Sequence, residues 1–135
     1  MANIDEMVVS FPGGKRVDAS FDGLTVETDQ SVEDGGEGIV PAPYDFFIAS
    51  LATCAGVYVL GFCQNRDIAT DGIRLVQRLV RDDDKKKIVE VVIDIEVPPH
   101  FPEKYYSALE RVAAKCTVKR TIESPPEFTI KTVVS

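Results

Sequence analysis

The chain has 135 residues, with 15 Lys and Arg against 22 Asp and Glu, so its formal net charge is 15 − 22 = −7. A chain of this length buries about two-thirds of its unfolded surface, and 44% hydrophobic residues supply a core for one domain over residues 1–135, which excludes a mainly disordered protein. The acidic balance repels phosphate backbones and excludes a nucleic-acid role; Lys85-Lys86-Lys87 does not change this, because it follows Asp82-Asp83-Asp84 directly and reads as a solvated hairpin end.

The first residues, Met1-Ala2-Asn3-Ile4-Asp5-Glu6, contain neither a positive segment nor an apolar one, which points to the cytoplasm. Met7, Val9 and Phe11 alternate with less apolar residues up to Pro12-Gly13-Gly14, and Val17, Ala19 and Phe21 alternate beyond it. Asp22-Gly23 suits a two-residue hairpin turn, after which Leu24, Val26 and Thr28 continue the pattern. The expectation is a three-stranded meander, followed from Asp29 to Val40 by a mobile acidic loop without periodicity.

From Phe46 to Cys63 no residue is charged. As a helix this run would measure about 27 Å, the lower limit for a membrane crossing. Its many small residues, Ala49, Ser50, Ala52 and Gly56 among them, and its soluble-looking neighbours fit better the buried axis of a core or a subunit interface, with no membrane. Pro43 suits the first helical position, and Asp45 falls in the first turn, facing the positive end of the helix dipole.

Ile73, Leu75 and Leu79 mark one face of a following strand, and Val89, Val91, Ile93, Ile95 and Val97 mark one face of the next. Pro102 opens a helical segment with Tyr105, Leu109, Val112, Ala113 and Cys116 on one stripe, so Cys116 points inward. After Pro125-Pro126, Phe128, Ile130, Thr132 and Val134 predict a closing strand. The order is βββ-α-ββ-α-β, an α+β fold.

Three cysteines, Cys54, Cys63 and Cys116, form no Cys-x-x-Cys pair, and His100 is the single histidine, so neither a disulfide framework nor a metal site is indicated. Cys54 and Cys63 are half a turn out of phase and about 13.5 Å apart along a helix, and cannot bond to each other there. One core could bring Cys54 and Cys116 together. Each cysteine also reads as a small buried hydrophobe, while Lys115, Lys119, Arg120 and a helix restarting at Thr117 would favour a thiolate near Cys116.

The segments Pro43-Tyr44-Asp45-Phe46-Phe47-Ile48-Ala49-Ser50-Leu51-Ala52-Thr53-Cys54-Ala55-Gly56 and Ala113-Ala114-Lys115-Cys116-Thr117-Val118-Lys119-Arg120 carry a pattern that resembles the OsmC/Ohr family, the osmotically inducible and organic hydroperoxide resistance proteins. The resemblance spans nearly the whole chain. It implies an intertwined homodimer with central buried helices between mixed sheets. It implies also a two-cysteine peroxidase without cofactor or metal, in which Cys54 attacks organic or inorganic hydroperoxides, Cys116 resolves the sulfenic acid as a disulfide, and a dithiol reductant reopens it.

By the same resemblance Asp45 stands for the acid at the start of the central helix, and Arg16 is the one arginine upstream of that helix that can stand for the family's arginine partner. The sequence departs from the peroxidases in having Asp for Glu, no arginine in the loop before Pro41, and Thr117 where Pro is frequent, which marks a divergent branch. Two functions therefore stay open: a thiol peroxidase in oxidative stress defence, and a non-enzymatic dimer that binds a small apolar ligand or senses redox state, with packing cysteines. Cys63 reads as a minor core or rim thiol.

Overall fold

The computed structural model describes residues 4–135; Met1-Ala2-Asn3, part of the stretch read as lacking a leader, lies outside the described residues. The chain divides into two compact units, one ending at Ala49 and the other running Ser50–Ser135.

In the first unit, β1 (Val8–Gly13), β2 (Arg16–Phe21) and β3 (Leu24–Thr28) form the expected antiparallel meander. Pairing of Phe21 with Leu24 leaves Asp22 and Gly23 as a two-residue turn, both at positive φ (48° and 75°), the backbone that matches strand twist. The β1–β2 register is irregular between Ser10 and Gly13, where Pro12 has no N–H to give a ladder.

The segment after β3 is not the featureless loop the sequence suggests. Its organiser is Asp29, 2% exposed, whose carboxylate accepts the N–H groups of Gln30 (2.7 Å) and Glu37 (3.0 Å). A short 3-10 turn at Val32–Asp34 is capped by Ser31, Gly38 N–H reaches Gln30 O, and Asp29 N–H reaches Pro41 O. The acidic residues hid this order, because a carboxylate that accepts local backbone N–H groups looks, in sequence, like any solvated charge.

The helix α1 (Pro43–Gln64) has the expected bounds. At its start the Asp45 carboxylate accepts the N–H of Ala42 at 3.0 Å, one half of a capping box. At its end Asp67 is left-handed (φ 53°), with Ile68 N–H on Cys63 O and Asp67 N–H on Gln64 O, a Schellman closure built without glycine.

By length and hydropathy α1 could cross a membrane, yet within the second unit it serves as core. Val59, Phe62 and Cys63 pack with Phe101 and Leu109, flanked by Leu75, Ile95 and Val112. Within this chain Leu51, Ala55, Val59, Phe62 and Cys63 form the buried stripe, while Val57 (60% exposed) and Leu60 lie uncovered.

The strands β4 (Arg74–Arg81) and β5 (Ile88–Glu96) pair antiparallel, with Leu75 opposite Ile95 and Leu79 opposite Val91, so the predicted apolar face forms. Arg74–Glu96 and Arg78–Asp94 ion pairs occupy the other face. The hairpin end closes on Asp82, whose carboxylate accepts the N–H groups of Lys86 and Lys87.

Two expectations at the C-terminal side change. The single predicted helix after Pro102 is split into a 3-10 turn (Glu103–Tyr105), α2 (Tyr106–Ala113) and α3 (Thr117–Glu123), because Cys116 is extended (φ −46°, ψ 126°). The closing strand does not form either: residues 125–135 pair with no strand among the described residues, and Ile130 (95% exposed) and Val134 (99%) stand open. Alternation fits a strand, but a strand exists only where a neighbour accepts its hydrogen bonds.

A Cβ on Gly36 would lie 2.0 Å from Gln30 O and 2.7 Å from the Asp29 carboxylate. Gly36→Ala is therefore expected to lower stability by about 1–3 kcal/mol in urea unfolding. Backbone N–H groups of Gln30 and Glu37 hold the Asp29 carboxyl below its ordinary range, against the opposing effect of burial. A depressed carboxyl stabilises fully above its unfolded pKa of about 3.9 and loses this as pH falls through the lower folded value. Asp29→Asn should consequently show a shallower loss of stability than the parent chain below about pH 4, measured by the same unfolding at stepped pH.

Candidate active site

Packing of α1 on α2 sets the position of two thiols. Cys54 sits on the flank of the buried stripe, between Leu51 and Ala55, and is half-buried. Cys116 follows the end of α2, where Ala113 and Ala114 close the helix, and is 2% exposed. Its sulfur caps α3 by accepting the N–H of Lys119 at 3.4 Å, and its thiol lies 3.9 Å from Leu51 O on α1.

The two thiols influence each other, the Cys116 thiol favouring the charged form of Cys54. Burial pushes the Cys54 thiol up. The Val118 N–H, the Cys116 thiol, the Thr117 N–H and the charge of Arg120 outweigh that and bring it below the ordinary thiol value. Cys116 moves the opposite way: its burial, then its interaction with Cys54, outweigh the N–H groups of Lys119 and Val118 and raise it. The thiolate is thus eased at Cys54 and disfavoured at Cys116. A thiolate is the nucleophilic form of cysteine, and a protonated thiol beside it can condense with a sulfenic acid.

The third thiol has no such surroundings. Cys63 is fully buried in the core of the second unit, and burial raises it against the charge of Arg66. Arg66 itself covers the Phe62 ring at 3.7 Å.

The other two residues singled out by sequence sit in the first unit. The Arg16 guanidinium faces Asp18 at 3.2 Å and Glu27 at 3.6 Å on its own sheet. The Asp45 carboxylate holds Ala42 N–H. The arginine whose charge acts on Cys54 is Arg120, flagged by the sequence only as part of a positive neighbourhood around Cys116. Sequence reasoning missed the backbone donors at Thr117 and Val118 altogether; the one available signal was the helix restart at Thr117. Tyr58 was also missed, and its hydroxyl meets Thr117 Oγ1 at 3.5 Å.

A cavity of about 360 Å³ opens beside the pair, with Cys116 in its wall among Leu51, Ala55, Ile93, Ala113 and Ile122. Lys119, paired with Glu123 at 3.6 Å, stands at its polar side. Among the described residues no group of three or more His, Cys, Asp or Glu side chains could hold a metal ion.

An antiparallel meander, a long apolar helix, a β-hairpin and two short helices, with a buried cysteine at the joint between the last two, define an α+β thiol protein. The family model for OsmC-like proteins matches residues 20–131, and the chain belongs to that family. A Psychrobacter arcticus 273-4 crystal structure, of a protein named for osmotic stress induction and a detoxification response, is similar with a TM-score of 0.71 at 22% identity, over 90% of each chain. An OsmC-like protein of unknown function from Vibrio cholerae gives 0.64 at 13% identity, over 91% of this chain and 95% of its own. An organic hydroperoxide resistance protein OsmC from Legionella pneumophila gives 0.53 at 19% identity, over 87% and 88%. No curated protein matches this chain. At these identities the structures share the fold.

Alkylation by iodoacetamide, followed residue by residue in mass spectra over pH, should modify Cys54 ahead of Cys116 and Cys63, with an inflection below that of a free thiol. In Arg120→Ala the Cys54 inflection should move to higher pH, since one of the effects favouring the thiolate is gone. Faster labelling of Cys63 than of Cys54 would contradict this ordering.

Proposed function

We propose that the chain is a thiol-dependent peroxidase that reduces organic or inorganic hydroperoxides through Cys54 and Cys116. The observation that carries this reading is the placement of Cys116, buried at the start of α3 in the wall of an apolar cavity and 3.9 Å from Leu51 O, against the stretch of α1 that bears Cys54, whose thiol the α3 amides and Arg120 bring down. The Cys54 thiolate attacks the terminal oxygen of the hydroperoxide. The O–O bond breaks, the alcohol leaves after taking up a proton, and Cys54 becomes a sulfenic acid. The Cys116 thiol then attacks that sulfur, forming a disulfide and releasing water. A dithiol reductant returns both cysteines to thiols and is itself oxidised to a disulfide.

In this reading Arg120 and the α3 amides stabilise the attacking thiolate, Asp45 fixes the start of α1, and Arg16 carries no proton-transfer step. The working form is an intertwined homodimer in the cytoplasm. The uncovered Leu60 on α1 and the open alternating tail at Phe128 and Ile130 support such a partner copy.

The apolar cavity beside Cys116 favours one other reading, a non-enzymatic module that holds a small apolar ligand and uses its cysteines for packing or redox sensing. Non-reducing mass mapping after one equivalent of cumene hydroperoxide separates the two. The peroxidase reading expects a Cys54–Cys116 disulfide in the parent protein and sulfenic acid on Cys54 in Cys116→Ser. It expects also no peroxide consumption above background in Cys54→Ser. Unmodified Cys54 after peroxide would overturn it in favour of the binding module.

A further inference from the structure

A second cleft lies between α1 and α2, and its lining differs from the cavity at Cys116. Its walls carry three cations, Arg66, Arg111 and Lys115, with the amide of Asn65, the Tyr58 ring and no acidic residue. Val57, Gly61, Phe62, Ala108 and Val112 supply an apolar floor. Its volume is about 520 Å³.

The one-signed lining is the unusual part. Acidic residues outnumber basic ones by 22 to 15, yet this cleft gathers three cations and no acid, and no ion pair of the described residues engages any of the three. Arg66 is anchored by its Phe62 stacking and by one Nη1 bond to Phe62 O at 3.3 Å, which leaves further guanidinium donors to give. Like charges on one cleft repel, and an anion seated among them removes that repulsion and gains charge-assisted hydrogen bonds. Gly61 keeps the floor open, since a Cβ there would meet no atom within 4 Å.

We propose that this cleft binds a small amphipathic organic anion, a carboxylate, sulfate or phosphate headgroup held by Arg66, Arg111 and Lys115 above an apolar ring or chain on the Val57–Phe62 floor. The volume falls in the range of small-molecule pockets, roughly 300–1,000 Å³. The net charge of −7 opposes a nucleic-acid occupant, which needs many phosphate contacts at once. The site is independent of the peroxidase reading, because none of these side chains belongs to the cysteine pair.

The test is a fluorescence titration of the full chain with anilinonaphthalene sulfonate, which has a sulfonate headgroup and an aromatic body, beside its uncharged counterpart N-phenylnaphthylamine. Arg111→Glu with Lys115→Glu should weaken the sulfonate about tenfold or more, and Arg111→Gln with Lys115→Gln by less. Lys86→Glu with Lys87→Glu, the same charge change at the β4–β5 hairpin end, should leave it unaltered. Gly61→Leu, which fills the floor and keeps every charge, should weaken it as well. Circular dichroism checks that each variant is folded, and the Gln pair serves if the Glu pair is not.

Three results would overturn the proposal: equal affinity in the folded charge variants, an equal loss in the hairpin control, or neutral dye binding as tightly as the sulfonate. Displacement of the dye by inorganic sulfate as readily as by benzenesulfonate would overturn the apolar part of the site.

Discussion

Burial of one stripe of α1, from Leu51 through Ala55 and Val59 to Phe62, is the constraint on which the thiol geometry depends. Each large side chain in such a seam contributes about 1.5–3 kcal/mol on leaving water, whereas hydrogen bonds to sulfur are long and weak, here 3.4 and 3.9 Å at Cys116. Apolar packing therefore decides where α2 ends against α1, and the sulfur contacts follow. Leu109 and Phe101 on the other side of the seam are as buried as Val59, so α2 has little freedom to slide. Cys116 reaches Leu51 O because Leu51 is the last residue of that stripe toward the start of α1.

Two cysteines of one helix end with opposite protonation preferences because different effects win at each. Burial raises Cys54 and Cys63 alike. At Cys63 only the Arg66 charge opposes it, and that guanidinium is spread over the Phe62 ring. At Cys54 two backbone N–H groups, a thiol and a guanidinium act together and exceed the burial effect. A nine-residue separation turns one side chain into the flank that faces α3 and the other into the core, so helix phase alone separates a reactive environment from an inert one.

The parts of this structure legible in sequence are those fixed by local stereochemistry or by a single period. Asp22-Gly23 gave its turn because two positive φ angles suit few residue pairs, Pro43 and Gln64 bounded α1, and β5 alternated cleanly. The inward direction of Cys116 followed from its stripe. What stayed hidden needed partners distant in sequence. The order around Asp29 depends on N–H groups eight residues on, and although the sequence offered a helix restart at Thr117, the cap at that restart is a sulfur in the place of a polar group, a role that cysteine composition does not announce. The tail from Phe128 has the right alternation and no strand beside it. The uncovered Val57 and Leu60 show the same limit for α1: hydropathy reports that a surface avoids water, and only packing tells which neighbour covers it.

Net charge is a poor guide to the field at the cysteine pair. The chain carries −7 overall, but the stretch from Arg111 to Arg120 holds Arg111, Lys115, Lys119 and Arg120 with no acid among them. Lys119 is neutralised by Glu123, and Arg120 leans on the Thr117 hydroxyl at 3.5 Å, on the helix whose first amides face Cys54. Exposed charges act over about 10 Å in ordinary salt before screening removes them. Asp82 at the β4–β5 hairpin end and Asp29 in its loop each accept backbone N–H groups of their own segment, which fixes those turns. An acidic protein thus keeps a cationic segment where α2 joins α3 beside the thiols. The local arrangement, not the total, lowers Cys54 while Cys116 is raised.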